Sequence, residues 1–227
     1  MKIRMKYILM TISTLATLTA HAGEILYQCN FSQGKWDASE WQIVKSPRWP
    51  DLGTWEQQND HIRNKVPSNA TEKEMLGKRA GETYTSMLLE KKFSPNLIIT
   101  STMSFDHRMA PLLVITPEYG KDAEGNPEHR DHFEIVLYDK GLNVWHHYYT
   151  DGKPHWKKAA FINADFEPKK KYTLTVEIKT DKKGTTMIVS CAGKTFGYMD
   201  DSIPKQFYIG ITGCEGVNRF YDFQISK

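Results

Sequence analysis

The stretch His132–Tyr149, HFEIVLYDKGLNVWHHYY, decides the fold. Two runs rich in aromatic and β-branched residues flank Asp139-Lys140-Gly141, where Gly141 can supply the positive φ of a tight hairpin. A turn on Lys140 and Gly141 predicts Tyr138 opposite Asn143, Val136 opposite Trp145, Glu134 opposite His147 and His132 opposite Tyr149. Side chains alternate across a strand, so Phe133, Ile135, Leu137, Leu142 and Val144 share one face, the expected core. The other face carries His132, Glu134, Tyr138, Asn143, Trp145, His147 and Tyr149. Carboxylate, imidazoles, phenols and an indole on one sheet face suit a groove for a polar, ring-shaped ligand. Covered and unpartnered, such groups would each carry a desolvation cost. The plainer alternative is a solvent-facing sheet with one cross-strand Glu-His pair, worth ~0.2–1 kcal/mol.

The rest of the chain repeats this pattern. Strands are predicted over residues 25–31, 41–44, 54–57, 61–65, 84–93, 97–108 and 112–116. After the hairpin they continue over 156–162, 172–179, 185–191, 194–198, 207–212 and 219–226. Short strands at regular intervals with turn signals between them indicate an all-β antiparallel sandwich or barrel. One short helix is expected after Ser68-Asn69-Ala70-Thr71, with Glu72 and Glu74 in its first turn and Gly77 beyond its end. Residues 117–131, rich in charge, glycine and proline, read as a long loop feeding the hairpin.

Residues 1–22 carry Lys2, Arg4 and Lys6, an apolar run, and Ala20-His21-Ala22, the organisation of a secretory signal peptide cut after Ala22. The expected mature chain, 23–227, is one exported domain, secreted or periplasmic, with no membrane span. The formal charge of +3 includes the three positive residues of the leader, which gives no reason to expect nucleic acid. Cys29, Cys191 and Cys214 allow at most one disulfide, and Cys191 alternates in phase with Met187 and Val189 as a core residue would.

Strand 97–108 places Asp106 and Arg108 in the polar phase, and the expectation is that they join Glu134 and His147. The catalytic candidates are therefore Glu134, His147, Arg108 and Tyr138, a set able to move a proton and stabilise an oxyanion. Trp145, His132, Asn143, Tyr149 and Asp106 are expected to bind substrate, with Asp106 also the nearest second acid for glycoside hydrolysis. Of the six tryptophans, Trp145 is the one expected to stack on a sugar, because it shares the face of Glu134 and His147. No metal and no cofactor is assigned. Asp122, Glu124, Asn126, Glu128 and Asp131 lack EF-hand spacing, and His146 and His147 point to opposite faces. No G-x-S-x-G elbow and no Gly-rich phosphate loop occurs.

Four short pieces resemble a known family: Thr54-Trp55-Glu56 with Asn59-Asp60-His61-Ile62; Phe105 with Arg108; Phe133 to Asp139; and Phe207 to Ile211 with Phe220 to Phe223. Together the chain resembles the concanavalin A-like jelly roll of lectins and glucanases, and more narrowly the secreted bacterial 3-keto-disaccharide hydrolase-like domain. The resemblance implies a two-sheet sandwich handling carbohydrate; the expected partner is a poly- or oligosaccharide and the expected state a monomer. It also implies that Glu134 faces the ligand and that Arg108 precedes the next strand. The chain has Val136 where that family commonly has Gln, and Ala110-Pro111-Leu112 where it has an Asn-Ser-Gly turn. Hydrolase, lyase and non-catalytic binding module all remain open on the residues, as does a structural or adhesion role.

Overall fold

The computed structural model describes residues 23–108 and 111–227, so the expected leader, 1–22, lies outside the described residues. The first strands are β1 (Ile25–Asn30), β2 (Trp41–Ile43), β3 (Trp55–Gln57), β4 (Ile62–Asn64), β5 (Thr85–Phe93) and β6 (Leu97–Phe105). Then come β7 (Pro111–Thr116), β8 (Tyr119–Lys121), β9 (Pro127–His129), β10 (His132–Tyr138), β11 (Gly141–Thr150) and β12 (Lys153–Asn163). The last six are β13 (Tyr172–Asp181), β14 (Gly184–Cys191), β15 (Lys194–Met199), β16 (Phe207–Gly213), β17 (Asn218–Phe220) and β18 (Asp222–Ser226). Helix α1 is one turn, Glu72–Met75, and Thr71 caps it in a reciprocal capping box with Glu74.

A seven-stranded antiparallel sheet runs β12-β11-β10-β7-β16-β5-β2. The other, nine-stranded, runs β15-β14-β13-β6-β17-β4-β3, with β18 joining β1 to β6. Between them lies one large apolar core, into which Phe133, Ile135 and Leu137 of β10 and Leu142 and Val144 of β11 all project. The expected sandwich and the expected inner face are both present.

The hairpin turn is displaced from its predicted place. Tyr138 pairs with Gly141, so the turn is Asp139-Lys140, and Glu134 faces Trp145 while His132 faces His147. A slip of two residues preserves the faces, whereas a slip of one would have exchanged core for surface. Gly141 is needed for space as well: a Cβ there would lie 2.1 Å from the Ile162 carbonyl oxygen of β12. The long loop 117–131 contains the β8-β9 hairpin, and the predicted strand 219–226 breaks at Tyr221.

The outer face of the seven-stranded sheet is covered in its middle. Val44, Leu88 and Val114 form one small buried cluster there, and Leu112 and Val136 another. The segment after β2 closes over it, bonding through Val44 N to Ser86 O (3.0 Å) and through Lys45 to Pro127 and His129.

Candidate functional site

His132, Glu134 and His147 stand on this covered face and are only 2%, 6% and 8% exposed. The alternation of β10 puts His132 and Glu134 on the same side, and cross-strand pairing sets His147 against His132. Nε2 of His147 lies 3.0 Å from Oε2 of Glu134, and Nε2 of His132 lies 3.6 Å from Oε1. Burial pushes the Glu134 carboxyl up, but the two imidazoles more than offset it and hold it well below the usual carboxylate range. Burial pushes His132 down.

The imidazoles are stacked. His132 and His147 are 4.5 Å apart at 11°, and His129 lies 4.6 Å from His132 on its other side. His132 Nδ1 donates to the Arg130 carbonyl at 2.6 Å, which fixes Nε2 as the bare nitrogen of the neutral ring. Behind them, Ser86 Oγ bonds His129 Nε2 at 2.9 Å and accepts from Thr212 Oγ1 at 2.7 Å, so polar contacts reach from β11 to β16 and β5. The reactive ligand atoms of His132, Glu134 and His147 all lie within 4.8 Å of one another, a spacing that can hold a metal ion.

A cavity of about 170 Å³ opens beside Glu134 and His147 and is lined by Arg48, Leu112, Val136, Trp145, Trp156, Cys214 and Glu215. Arg48 sits with its guanidinium 5.4 Å from the Trp156 ring and 5.6 Å from Trp49, and its buried Nε has no hydrogen-bond partner among the described residues. Trp156 is 50% exposed, an open indole at the mouth. Glu215 takes a left-handed backbone, φ 52°. Burial raises its carboxyl pKa, Glu134 adds to the rise, and Arg48 and Arg108 pull against it. One cavity therefore presents two carboxyl groups pushed in opposite directions.

Asn64 holds the loop that carries Glu215. Fully buried, it donates to Thr83 O (2.6 Å) and Gly216 O (2.8 Å) and accepts from Asn218 N (2.8 Å). Cys214 N bonds Asn218 Oδ1 at 2.7 Å.

Among solved structures, the chain is similar to a carbohydrate-binding module, CBM66, of Bacillus subtilis: TM-score 0.56 at 12% identity, covering 83% of this chain and 96% of that one. A Bacillus subtilis protein of unknown function with a galectin-like fold matches at TM-score 0.61 and 11% identity, covering 90% and 96%. A glycoside hydrolase family 16 endo-glucanase of Bacteroides ovatus matches at TM-score 0.55 and 10% identity, covering 88% and 100%. The fold is a concanavalin A-like jelly roll. No family profile matches the chain. No curated protein is similar to it either.

The jelly roll brings together some of the predicted residues and separates others. Glu134, His147 and Trp145 line the cavity, with His132 directly behind. Tyr138 packs with Trp145 against Leu112 and Val136, and Asn143 is buried with its Oδ1 unpartnered among the described residues. Tyr149 lies apart: its backbone N bonds Asp131 at 2.9 Å and Arg130 approaches its ring. Asp106 does not share the face of Glu134, because β6 belongs to the nine-stranded sheet, where Asp106 is clamped by Arg219. Arg108 is exposed beyond the end of β6, its charge felt by Glu215. Sequence reasoning missed Arg48, Trp156 and Glu215. The run Gly213-Cys214-Glu215-Gly216 was the available signal for the last, since paired glycines around an acid mark a constrained loop.

Proposed function

We propose that this chain is an exported carbohydrate-active protein that takes a poly- or oligosaccharide at the Trp145–Trp156 cavity and cleaves a glycosidic bond there. The observation that carries this reading is the placing of two carboxyl groups in one cavity walled by indoles, Glu134 held down by its imidazoles and Glu215 pushed up by burial. Glu215 is the proton donor to the leaving sugar oxygen. Glu134 with His147 forms the basic side, which either deprotonates an attacking water or removes a proton beside a sugar carboxylate. In the first case water adds across the bond. In the second the proton is lost, the bond to the leaving oxygen breaks and a double bond forms.

Arg48 favours the second case, since a guanidinium with an unsatisfied Nε would suit the carboxylate of an acidic sugar. Trp156 and Trp145 offer flat faces to the apolar side of the ring. The similarity in fold to a carbohydrate-binding module and to a glucanase supports a saccharide ligand.

The deciding experiment incubates purified protein with an oligosaccharide panel that includes uronic-acid and 3-keto sugars and reads the products by mass spectrometry. A gain of one water per bond cleaved means hydrolysis, and cleavage without it means elimination. The 3-keto sugars test the narrower family resemblance. A second reading, a binding module without chemistry, draws on the likeness to CBM66, and sugar binding with an unchanged panel would establish it.

A further inference from the structure

We propose that His132, Glu134 and His147 form a three-ligand site for a divalent ion of the zinc class, open towards the Trp145–Trp156 cavity. This deepens the reading above and rests on it only for where a sugar would approach.

The first argument is proton accounting. His132 Nδ1 must carry a hydrogen, because its partner 2.6 Å away is the Arg130 carbonyl, which can only accept. The neutral ring therefore points a bare Nε2 at Glu134 Oε1, 3.6 Å away, and an acceptor faces an acceptor in a buried place. Something positive belongs between them. A cation shared by all three ligands would satisfy both acceptors.

The second argument is spacing. Zinc bonds of ~2.0–2.1 Å in tetrahedral geometry set ligand atoms roughly 3.3 Å apart. The imidazole-to-carboxylate distances fall on either side of that value at the two carboxylate oxygens, 3.0 Å from His147 to Oε2 and 3.6 Å from His132 to Oε1, and one ligand atom of each residue lies within 4.8 Å of the others. Two histidines and one glutamate are also a donor set in which zinc keeps a fourth position open.

The third is the surrounding shell. A ligating histidine commonly donates its other ring nitrogen to a carbonyl or carboxylate, and His132 does so through Arg130. The open side carries Arg48, Glu215 and the two indoles, so a sugar oxygen or a water would complete the coordination where substrate sits. On this assignment Glu134 and His147 act as the basic side through the ion they hold, and Glu215 remains the proton donor.

The test uses untagged full-length protein, stripped with chelator and titrated with Zn²⁺ and Co²⁺. The expected result is one equivalent bound, a raised melting temperature, and the visible absorbance of four-coordinate cobalt. His147→Gln and Glu134→Gln should each weaken binding at least 100-fold, whereas Arg48→Ala should leave it within threefold. If a wild-type protein with a cooperative melt binds neither ion, or binds it equally well in both ligand variants, the assignment is overturned. That result leaves the sugar-cleavage reading standing, because the panel above is run independently. Conversely, an ion bound with the expected variant pattern, together with a silent panel and no sugar affinity, sinks the cleavage reading and keeps the metal site.

Discussion

His132 and His147 face each other across β10 and β11 with their rings 4.5 Å apart and 11° from parallel. This register, two residues from the one the turn signal suggests, brings both imidazoles onto the Glu134 carboxylate instead of one. A lone Glu-His pair on a wet sheet would be worth little. Two buried imidazoles on one buried carboxylate form a desolvated polar cluster, in which each contact counts for more than in water.

Glu134→Gln should lower turnover at least 100-fold while the folded protein still binds oligosaccharide, measured by kinetics beside calorimetry. Trp156→Ala should do the reverse, weakening affinity about 10-fold or more through loss of the exposed indole at the mouth. If Trp156→Ala and Trp145→Ala both leave affinity untouched, the cavity is not where sugar binds.

Glu215→Gln should stabilise the protein near neutral pH and abolish cleavage. Because the folded Glu215 pKa is raised, the folded chain holds a proton that the unfolded chain releases above its ordinary 4.5. Stability contributed by this group therefore falls as pH climbs from that value through the raised one, and the amide removes the slope. Urea denaturation of both proteins across pH 4–8 reads it, and an identical slope in the two would remove Glu215 from the acid role.

Asn64→Ala should cost about 3 kcal/mol, since it strands the Gly216 and Thr83 carbonyls and the Asn218 amide in a buried site. It should also reduce cleavage beyond the fraction unfolded, because the loop that presents Glu215 loses its anchor. Chemical denaturation and kinetics at a temperature where the variant is folded separate the two effects.

Asp106→Asn should destabilise by about 1 kcal/mol without touching cleavage, the partly exposed pair being screened by solvent. Burial pushes Asp106 up and Arg219 overcomes it, leaving the carboxyl below its ordinary 3.8. The stabilisation is complete above that value and is lost as pH falls through the lowered one. A melting-temperature difference between wild type and variant that does not shrink as pH falls below 3.8 would contradict this ion-pair account.

Much of the fold was legible because alternation is a local signal. Phe133, Ile135, Leu137, Leu142 and Val144 declare their face within a dozen residues, and a register error of two leaves that face unchanged. The same alternation placed Glu134, His132, His147 and Trp145 together. It could not assign sheets, so Asp106 was expected beside Glu134, although β6 lies in the other layer. Nor could it bring in Arg48 and Glu215, which reach the cavity from loops whose course depends on closure over the sheet. Their positions follow from long-range contacts such as Asn64 with Gly216, which leave no periodic trace in the sequence.

The cavity draws on Arg48, Glu134, Trp156 and Glu215, and the strand that delivers Glu215, β16, lies in the middle of its sheet although it is nearly last in the chain. The cavity therefore closes only once β16 has paired with β7 and β5. A chain that stops short of β16 leaves β7 and β5 with facing edges open and prone to pair with other copies. The cavity and the closed sheet are thus completed by the same strand.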